Sequence, residues 1–232
     1  MENKNIFSAL AVAAALVISA AILSVGFGTI AKPDRTVSVR GLAEREVDAD
    51  LAVWPLTYKF GADSMEIIQS QLNVRTAAVL EYLKGFGLSE SDWTVQAPQI
   101  TDNTLNPYID RKTYDYFAQQ TVLVRSQNVL AVKNAQAGSL ALLDKGIAVG
   151  QDYGQTVTYE FTKLNDIKPQ MIAEATASAR SAAEQFAHDS NSKVGKIKSA
   201  TQGLFTIEAA AAGLEEKKAV RVVTTVVYLL KD

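Results

Sequence analysis

The sequence predicts an α+β fold in which helices pack on a largely antiparallel sheet, preceded by one N-terminal transmembrane helix. Apolar and polar residues alternate along several short runs, a pattern typical of half-buried strands. Three other segments repeat apolar residues at helical spacing. The stretch Ile6–Ile30 is apolar and carries no charged residue. Beyond it, the elements follow the order ββα-ββα-βα-ββ, which mixes hairpins with one alternation of strand and helix.

The composition is that of a globular protein with a substantial core, since 48% of the 232 residues are hydrophobic. The chain has 23 basic and 25 acidic residues and a net charge of −2. Nucleic-acid binding requires an excess of Lys and Arg on one face, so we expect no nucleic-acid partner. Because there is no cysteine, disulfides, thiolate metal sites and thiol nucleophiles are excluded.

The apolar stretch can cross a bilayer as a helix, which needs about 20 apolar residues. It is longer than the core of a typical signal peptide, roughly 7–15 residues. We therefore predict that residues 1–31 form a membrane anchor or signal segment, that residues 6–30 cross the membrane, and that residues 32–232 form one exported domain. The alternative is a cleaved signal, since Thr29-Ile30-Ala31 is similar to a cleavage site.

Small residues recur at every fourth position of this segment, at Ala20, Ser24 and Gly28. Such a ridge lets two membrane helices approach closely. The three residues are therefore candidates for packing of the anchor against another copy. Chance spacing in an alanine-rich segment is the alternative.

The exported part opens with two alternating runs, Thr36–Val47 and a second run from Leu51 to Phe60. In the first run, alternate residues fall on two faces. The apolar face contains Val37, Val39, Gly41 and Val47, and the polar face contains Ser38, Arg40, Glu44 and Glu46. Asp48-Ala49-Asp50 separates the runs, which together predict a hairpin. Pro55 cannot donate to a ladder, so the second strand is expected to bulge there or to lie at an edge.

Three helices are predicted in the exported part. In the first, Asp63 and Glu66 suggest a capping box, and the apolar stripe Ile68, Leu72, Val79, Leu83 and Phe86 ends at Gly85 and Gly87. The second spans Val129–Lys145 and ends at Gly146. The third runs from about Ile167 to Asp189, begins at Asn165 or Asp166, and has Pro169 in its first turn.

The remaining strands are predicted at Trp93–Ile100, Tyr114–Val124, Gln155–Phe161, Lys196–Glu208 and Ala219–Leu230. The first two form a pair joined by the polar loop Thr101–Lys112. In the last strand both parities are apolar and β-branched, which indicates a central strand covered on both faces. The loop Ala209–Lys218 is either a subunit contact or an ordinary connection.

Few residues suggest chemistry. His188 is the sole histidine, and it falls away from the apolar helix stripe Met171, Ala175, Ala179, Ala182 and Phe186. We predict a solvent-facing pair with Glu184. One histidine excludes multi-histidine zinc sites, and no G-x-S-x-G elbow is present. Asp48 and Asp50 are interpreted as turn formers, with a weak cation site as the alternative. We expect no catalytic residue, no metal and no cofactor.

Aromatic residues cluster around the polar loop, at Tyr108, Tyr114, Tyr116 and Phe117. Tyrosine is common at binding surfaces. The cluster is therefore either strand packing or a contact surface for a partner chain or ligand.

Five segments in this order resemble the SIMPL-domain family over Thr36–Leu230: TVSVRGLAEREVDADLA, LKGFGLSESDWTVQAPQI, YDYFAQQTVLV, ATASARSAAEQFAHDSNSKVGKI and KKAVRVVTTVVYLL. Its members are bacterial envelope proteins related to a periplasmic immunogenic protein and to a protein of oxidative stress defence. The family's opening pattern G-x-G-x-x-x-x-x-P-D-x-A is GLAEREVDADLA here, from Gly41. Its Ala-Arg-x-Lys-Ala pattern is ARSAA, at Ala179–Ala183. These departures indicate a separate, membrane-anchored branch.

The resemblance implies an α+β periplasmic domain, ring or channel-like oligomers in at least one relative, and no established enzymatic activity. We therefore expect a non-enzymatic protein of the bacterial inner membrane with its domain in the periplasm. It would be homo-oligomeric, with a role in envelope or oxidative stress protection. The alternative is a periplasmic module that binds a small ligand or peptide through residues 101–117. If the signal is cleaved, the domain would be secreted to the periplasm or outer membrane.

Overall fold

Helices and strands follow one another in an α+β arrangement, as the sequence predicts. The structure, a computed structural model, describes residues 13–22, 34–104, 114–150 and 156–232. Residues 13–22 lie in a helix, α1. The later elements are β1 (Thr36–Asp48), β2 (Leu51–Ala62), α2 (Met65–Gly85), a 3₁₀ turn (Glu90–Asp92), β3 (Trp93–Val95), β4 (Gln99–Asp102), β5 (Tyr116–Ser126), α3 (Val129–Ala137), a 3₁₀ helix (Ser139–Lys145), β6 (Thr158–Glu160), α4 (Leu164–Asp189), β7 (Lys193–Gln202), β8 (Thr206–Ala209) and β9 (Lys217–Lys231).

Of the predicted transmembrane segment, only α1 is described. All of its residues are exposed, and the larger ones, Leu16, Val17 and Ile18, are 59% to 69% exposed. The rest of residues 6–30 lies outside the described residues. Within the ranges given above, no helix is both long enough and apolar enough to cross a membrane.

The two units into which the chain divides each have their own core. Met1–Gly41, Thr176–Gln202 and Thr224–Asp232 make up one unit, and Leu42–Ala175 and Gly203–Val223 make up the other. Strands β1 and β9 and helix α4 contribute residues to both.

A five-stranded sheet has the order β3-β5-β2-β6, and β4 also pairs with β5. Strands β2 and β5 form an antiparallel ladder without a register shift. The large residues of β2, among them Trp54 and Leu56, are buried against Val79 and Leu83 of α2. Pro55 therefore causes no bulge against β5. Strand β6, on the other side of β2, pairs only with Leu51–Val53, so Pro55 lies beyond the end of the β6 ladder.

A four-stranded sheet has the order β1-β9-β7, and β8 also pairs with β9. Strand β9 is central, as its apolar sequence predicts. One parity is buried, at Val220, Val222, Thr224, Val226 and Tyr228, while the other is only partly buried and exposes Arg221. The prediction that β9 is covered on both faces is therefore wrong in the described structure.

Small residues on α4 cover the buried parity of this sheet. Met171, Ala175, Ala179, Ala183 and Ala187 are all buried and recur at every fourth position. In one unit, Ala179 and Ala183 pack with Val39 and Val226. In the other, Met171 and Ala175 pack with Ala43 and Val222. The predicted stripe through Ala182 and Phe186 is wrong at its end, because steps of four keep Ala183 and Ala187 over the strands and leave Phe186 60% exposed.

The predicted hairpin of the first two runs is wrong, since β1 and β2 belong to different sheets. The alternation within β1 is confirmed: Val39 is buried, and Ser38 and Arg40 are exposed. The connection is not a tight turn. Ala49 N–H donates to Glu216 O at 2.8 Å, and Asp50 N–H donates to Glu160 O at 2.9 Å. Consecutive residues therefore bond to different sheets, and the chain crosses from one to the other.

Helix ends also differ from the predictions. Ser64 caps α2 by accepting from Ile67 N at 3.3 Å, so the capping box of Asp63 and Glu66 is wrong. The predicted second helix breaks at Gly138, where a Cβ would lie 3.0 Å from the Phe86 ring and 3.1 Å from the Tyr82 hydroxyl.

Helix α4 begins at Leu164, before the predicted start, which leaves Pro169 beyond the first turn. The single strand predicted at Lys196–Glu208 is two strands, β7 and β8, and both pair with β9.

Candidate functional site

The start of β5 carries the aromatic residues that the sequence singles out. Tyr116 packs with the small core of Ala62, Ile68 and Ala118, so its role is strand packing. Phe117, its neighbour on β5, is 38% exposed, and Tyr114 is 40% exposed. Tyr108 lies outside the described residues. The structure thus separates the predicted cluster into a packing residue and an exposed pair.

Tyr114 and Phe117 contact each other edge to face. Their ring centroids are 5.9 Å apart and the planes are inclined by 80°, an arrangement that aromatic pairs prefer. The Tyr114 ring lies directly over Gly61 of β2, because a Cβ built there would come within 2.3 Å to 2.9 Å of Tyr114 carbons. Only glycine leaves room for the ring at this point. The pair is therefore held in place by the backbone of the adjacent strand.

A hollow of about 200 Å³ adjoins Phe117. It is lined by Lys59, Gln99, Thr101, Phe117, Ala118 and Gln119. Pockets that enclose small molecules usually measure about 300–1,000 Å³. The hollow is smaller than that, so this surface is suited to a side chain of a partner rather than to a whole ligand.

A second candidate surface is a cleft of about 480 Å³ between α3, β6 and the connection before β9. The Lys133 ammonium pairs with the Glu216 carboxylate, and this hydrogen bond lowers the pKa of Glu216. Tyr159 is 8% exposed, and burial, with a smaller effect of the Glu216 charge, raises its pKa. The cleft thus holds a neutral hydroxyl beside a neutralised ion pair. No sequence motif signals it, because its residues come from three distant segments.

Asp48 and Asp50, which the sequence analysis interprets as turn formers, both have partners in distant segments. Asp50 accepts from the Thr162 backbone N–H at 2.8 Å, and its other oxygen lies 3.2 Å from the Thr162 hydroxyl. Asp48 pairs with Lys217 of β9. In the part of the chain that the structure describes, no group of three His, Cys, Asp or Glu residues is placed to hold a metal ion. Both aspartates fix the crossing between the sheets.

His188 is exposed, as predicted, with 86% of its side chain accessible. Its predicted partner is wrong: Nδ1 lies 3.4 Å from Asp189 Oδ1, while Glu184 accepts from Arg180 Nε at 2.9 Å. The competing guanidinium, four residues before Glu184, explains the difference.

Of the anchor residues predicted to pack between helices, Ala20 lies on the exposed surface of α1. Ser24 and Gly28 lie outside the described residues.

Comparison with protein-family models matches residues 37–228 to SIMPL, a family described as a protein of unknown function (DUF541). A comparison with curated proteins finds no match. The matched range runs from β1 to β9 and lies within the predicted exported domain, residues 32–232. Because the family model covers most of the sequence, this chain belongs to the SIMPL family.

Proposed function

We propose that this chain is a non-enzymatic protein of the bacterial envelope that assembles with copies of itself. Residues 6–30 hold it in the inner membrane, and the SIMPL domain faces the periplasm, where the assembly contributes to envelope or oxidative stress protection. The resemblance of the domain to periplasmic relatives supports the compartment.

The observation that carries the proposal is the surface of α1. Its residues are apolar on every side of the helix, and all are exposed. A helix that is apolar all round is normally buried in a large core or in a membrane. Its one polar side chain, Ser19, donates to the Ala15 carbonyl at 2.8 Å, so its hydroxyl needs no water. These features suit a lipid environment.

Self-assembly is supported by apolar surface in the domain. Leu204, between β7 and β8, is 91% exposed. It borders an open hollow of about 510 Å³. Ala219 and Val223 of β9 line the hollow, and the charged side chains of Glu44 and Arg221 also line it. Exposed apolar surface rimmed by polar residues commonly marks an interaction site.

Fractionation of the envelope tests the compartment. We expect the full chain to stay with the inner membrane after a high-pH wash, because an apolar helix is extracted only by detergent. Protease should digest the domain only after the outer membrane is opened. Recovery of the domain in the soluble periplasmic fraction, starting near Ala31, would support the cleaved signal instead.

A second candidate function is binding of a peptide by the exposed pair of Tyr114 and Phe117. The edge-to-face geometry and the adjacent hollow favour it. Tyr114→Ala should abolish recovery of a co-purifying partner without changing the size of the particle. Tyr108→Ala, six residues earlier in the sequence, should do the same. Met65→Ala, which also truncates an exposed apolar side chain, is the control. Equal recovery with all three variants would remove this candidate.

A further inference from the structure

The sheet edges differ in how they are protected from pairing with another chain. An unpaired edge strand is a template for a further strand, and proteins blunt such edges with short strands, bulges, Pro or Lys. In the five-stranded sheet, β3, β4 and β6 have only 3, 4 and 3 residues. In the four-stranded sheet, β7 carries Lys193, Lys196 and Lys198 and two shifts of register against β9.

Strand β1 is less protected, because its charged side chains carry both signs and can pair with those of a second copy. It contains 13 residues without Lys or Pro. It ends the order β1-β9-β7, and among the described residues β9 is the strand with which it pairs. One edge of β1 is therefore a long template on which a further strand can add.

The backbone bonds at the two ends of β1 show which peptide groups face this edge. Leu230 N–H donates to Arg35 O at 2.7 Å, and Ala49 N–H donates to Glu216 O at 2.8 Å. In an antiparallel ladder the residues that bond to one neighbour alternate with those that face the other side. Because residues 35 and 49 are both odd-numbered, the N–H and C=O groups of the even-numbered residues of β1 face the free edge.

The even-numbered side chains of two copies of β1 can complement one another in charge. If two copies of β1 pair antiparallel about Leu42, Arg40 of each lies opposite Glu44 of the other. Leu42, which is 41% exposed, lies opposite itself, and Ser38 lies opposite Glu46. Opposite charges across an antiparallel pair stabilise it, and like charges destabilise it. Centring the pair on Arg40 or on Glu44 instead places like charges opposite each other.

We propose that β1 is the edge through which two copies of this chain associate, antiparallel, with Leu42 at the two-fold axis. The two four-stranded sheets become one continuous sheet, as an isologous contact allows. All the residues concerned belong to one unbroken strand. The proposal rests on the self-assembly proposed above and names its surface. Arg45 lies on the other face of β1 and pairs with Glu174 of its own chain at 2.7 Å. It therefore does not take part in the charge pairing between the two copies.

Single cysteines test this register in a chain that has none of its own. Cα atoms of a directly opposite hydrogen-bonded pair are about 5.5 Å apart, within reach of a disulfide. The full chain with Leu42→Cys, in mild detergent, is expected to form a disulfide-linked dimer on gentle oxidation. Ser38→Cys is the matched control: it lies on the same face of β1, but its two copies would be roughly 26 Å apart along the ladder. We expect Leu42→Cys to cross-link at least about tenfold faster.

Charge exchange provides the second readout. Arg40→Glu and Glu44→Arg should each dissociate the β1 contact, and the double variant should restore it, as measured by particle mass in light scattering. Equal cross-linking of both cysteine variants overturns the proposal, and so does a double variant whose particle mass does not return to the native value. Self-assembly still stands in either case if the native particle contains more than one chain. A native particle that is monomeric contradicts both.

Discussion

Leu83→Ala should lower the free energy of unfolding of the unit built on the five-stranded sheet by about 2–5 kcal/mol. Leu83 is fully buried, at 0% exposed, and packs from α2 into the cluster that contains Trp54 and Val124. Truncation removes apolar contacts and leaves a cavity that the sheet closes only partly. Denaturant unfolding measured by tryptophan fluorescence checks this, because both tryptophans, Trp54 and Trp93, lie in this unit.

Val74→Ala is the matched control for Leu83→Ala. It removes apolar atoms from the same helix, but Val74 is 62% exposed, and such surface changes usually stay within about 0.5 kcal/mol. Equal destabilisation by the two variants would contradict the position of the core on one side of α2.

Ala179→Leu should destabilise the other unit by about 1–3 kcal/mol, the usual cost of overpacking. Ala179 is 0% exposed and lies in the cluster with Val39, Val226 and Tyr228. A larger side chain at this position forces α4 away from the strands. Since this unit contains no tryptophan, faster hydrogen exchange of the α4 amides is the measurement.

Ser178→Leu provides the comparison for Ala179→Leu. It adds a similar side chain at the neighbouring position, which is exposed. Its amide exchange should match that of the unmodified chain. If Ser178→Leu loosened α4 and Ala179→Leu did not, the helix would present a different face to the sheet.

Local patterns were predictable from the sequence, because strands and helices each repeat their apolar residues with a characteristic period. The alternation of β1 correctly placed Val39 inside and Arg40 outside. The apolar repeat of α2 correctly placed Ile68, Val79 and Leu83 in the core. The central position of β9 followed from its β-branched residues.

Contacts between distant segments were not predictable in the same way. The hairpin prediction paired β1 with the strand nearest in sequence, whereas its partner is β9, near the other end of the chain. Gly138, where the predicted second helix breaks, lies against the Phe86 and Tyr82 side chains, and no spacing in the sequence reveals this contact. The cleft of Lys133, Tyr159 and Glu216 likewise exists only once α3, β6 and the segment before β9 have come together.

The aromatic site was predictable in part. Sequence placed Tyr114, Tyr116 and Phe117 together, but their division depends on the parity of β5 and on Gly61 across the ladder. Tyr116 follows the buried side of the strand, and Phe117 follows the exposed side. The composition of the cluster was therefore informative, and its geometry required the sheet.

The mass of the native particle, together with its N-terminal sequence, tests the proposed function most directly. The full chain is extracted from membranes in mild detergent, its protein mass is measured by light scattering over a range of concentrations, and its first residues are sequenced. We expect a mass of at least two chains and an N-terminus that precedes residue 6. A particle of one chain at every concentration, beginning near Lys32, would contradict both the anchor and the assembly.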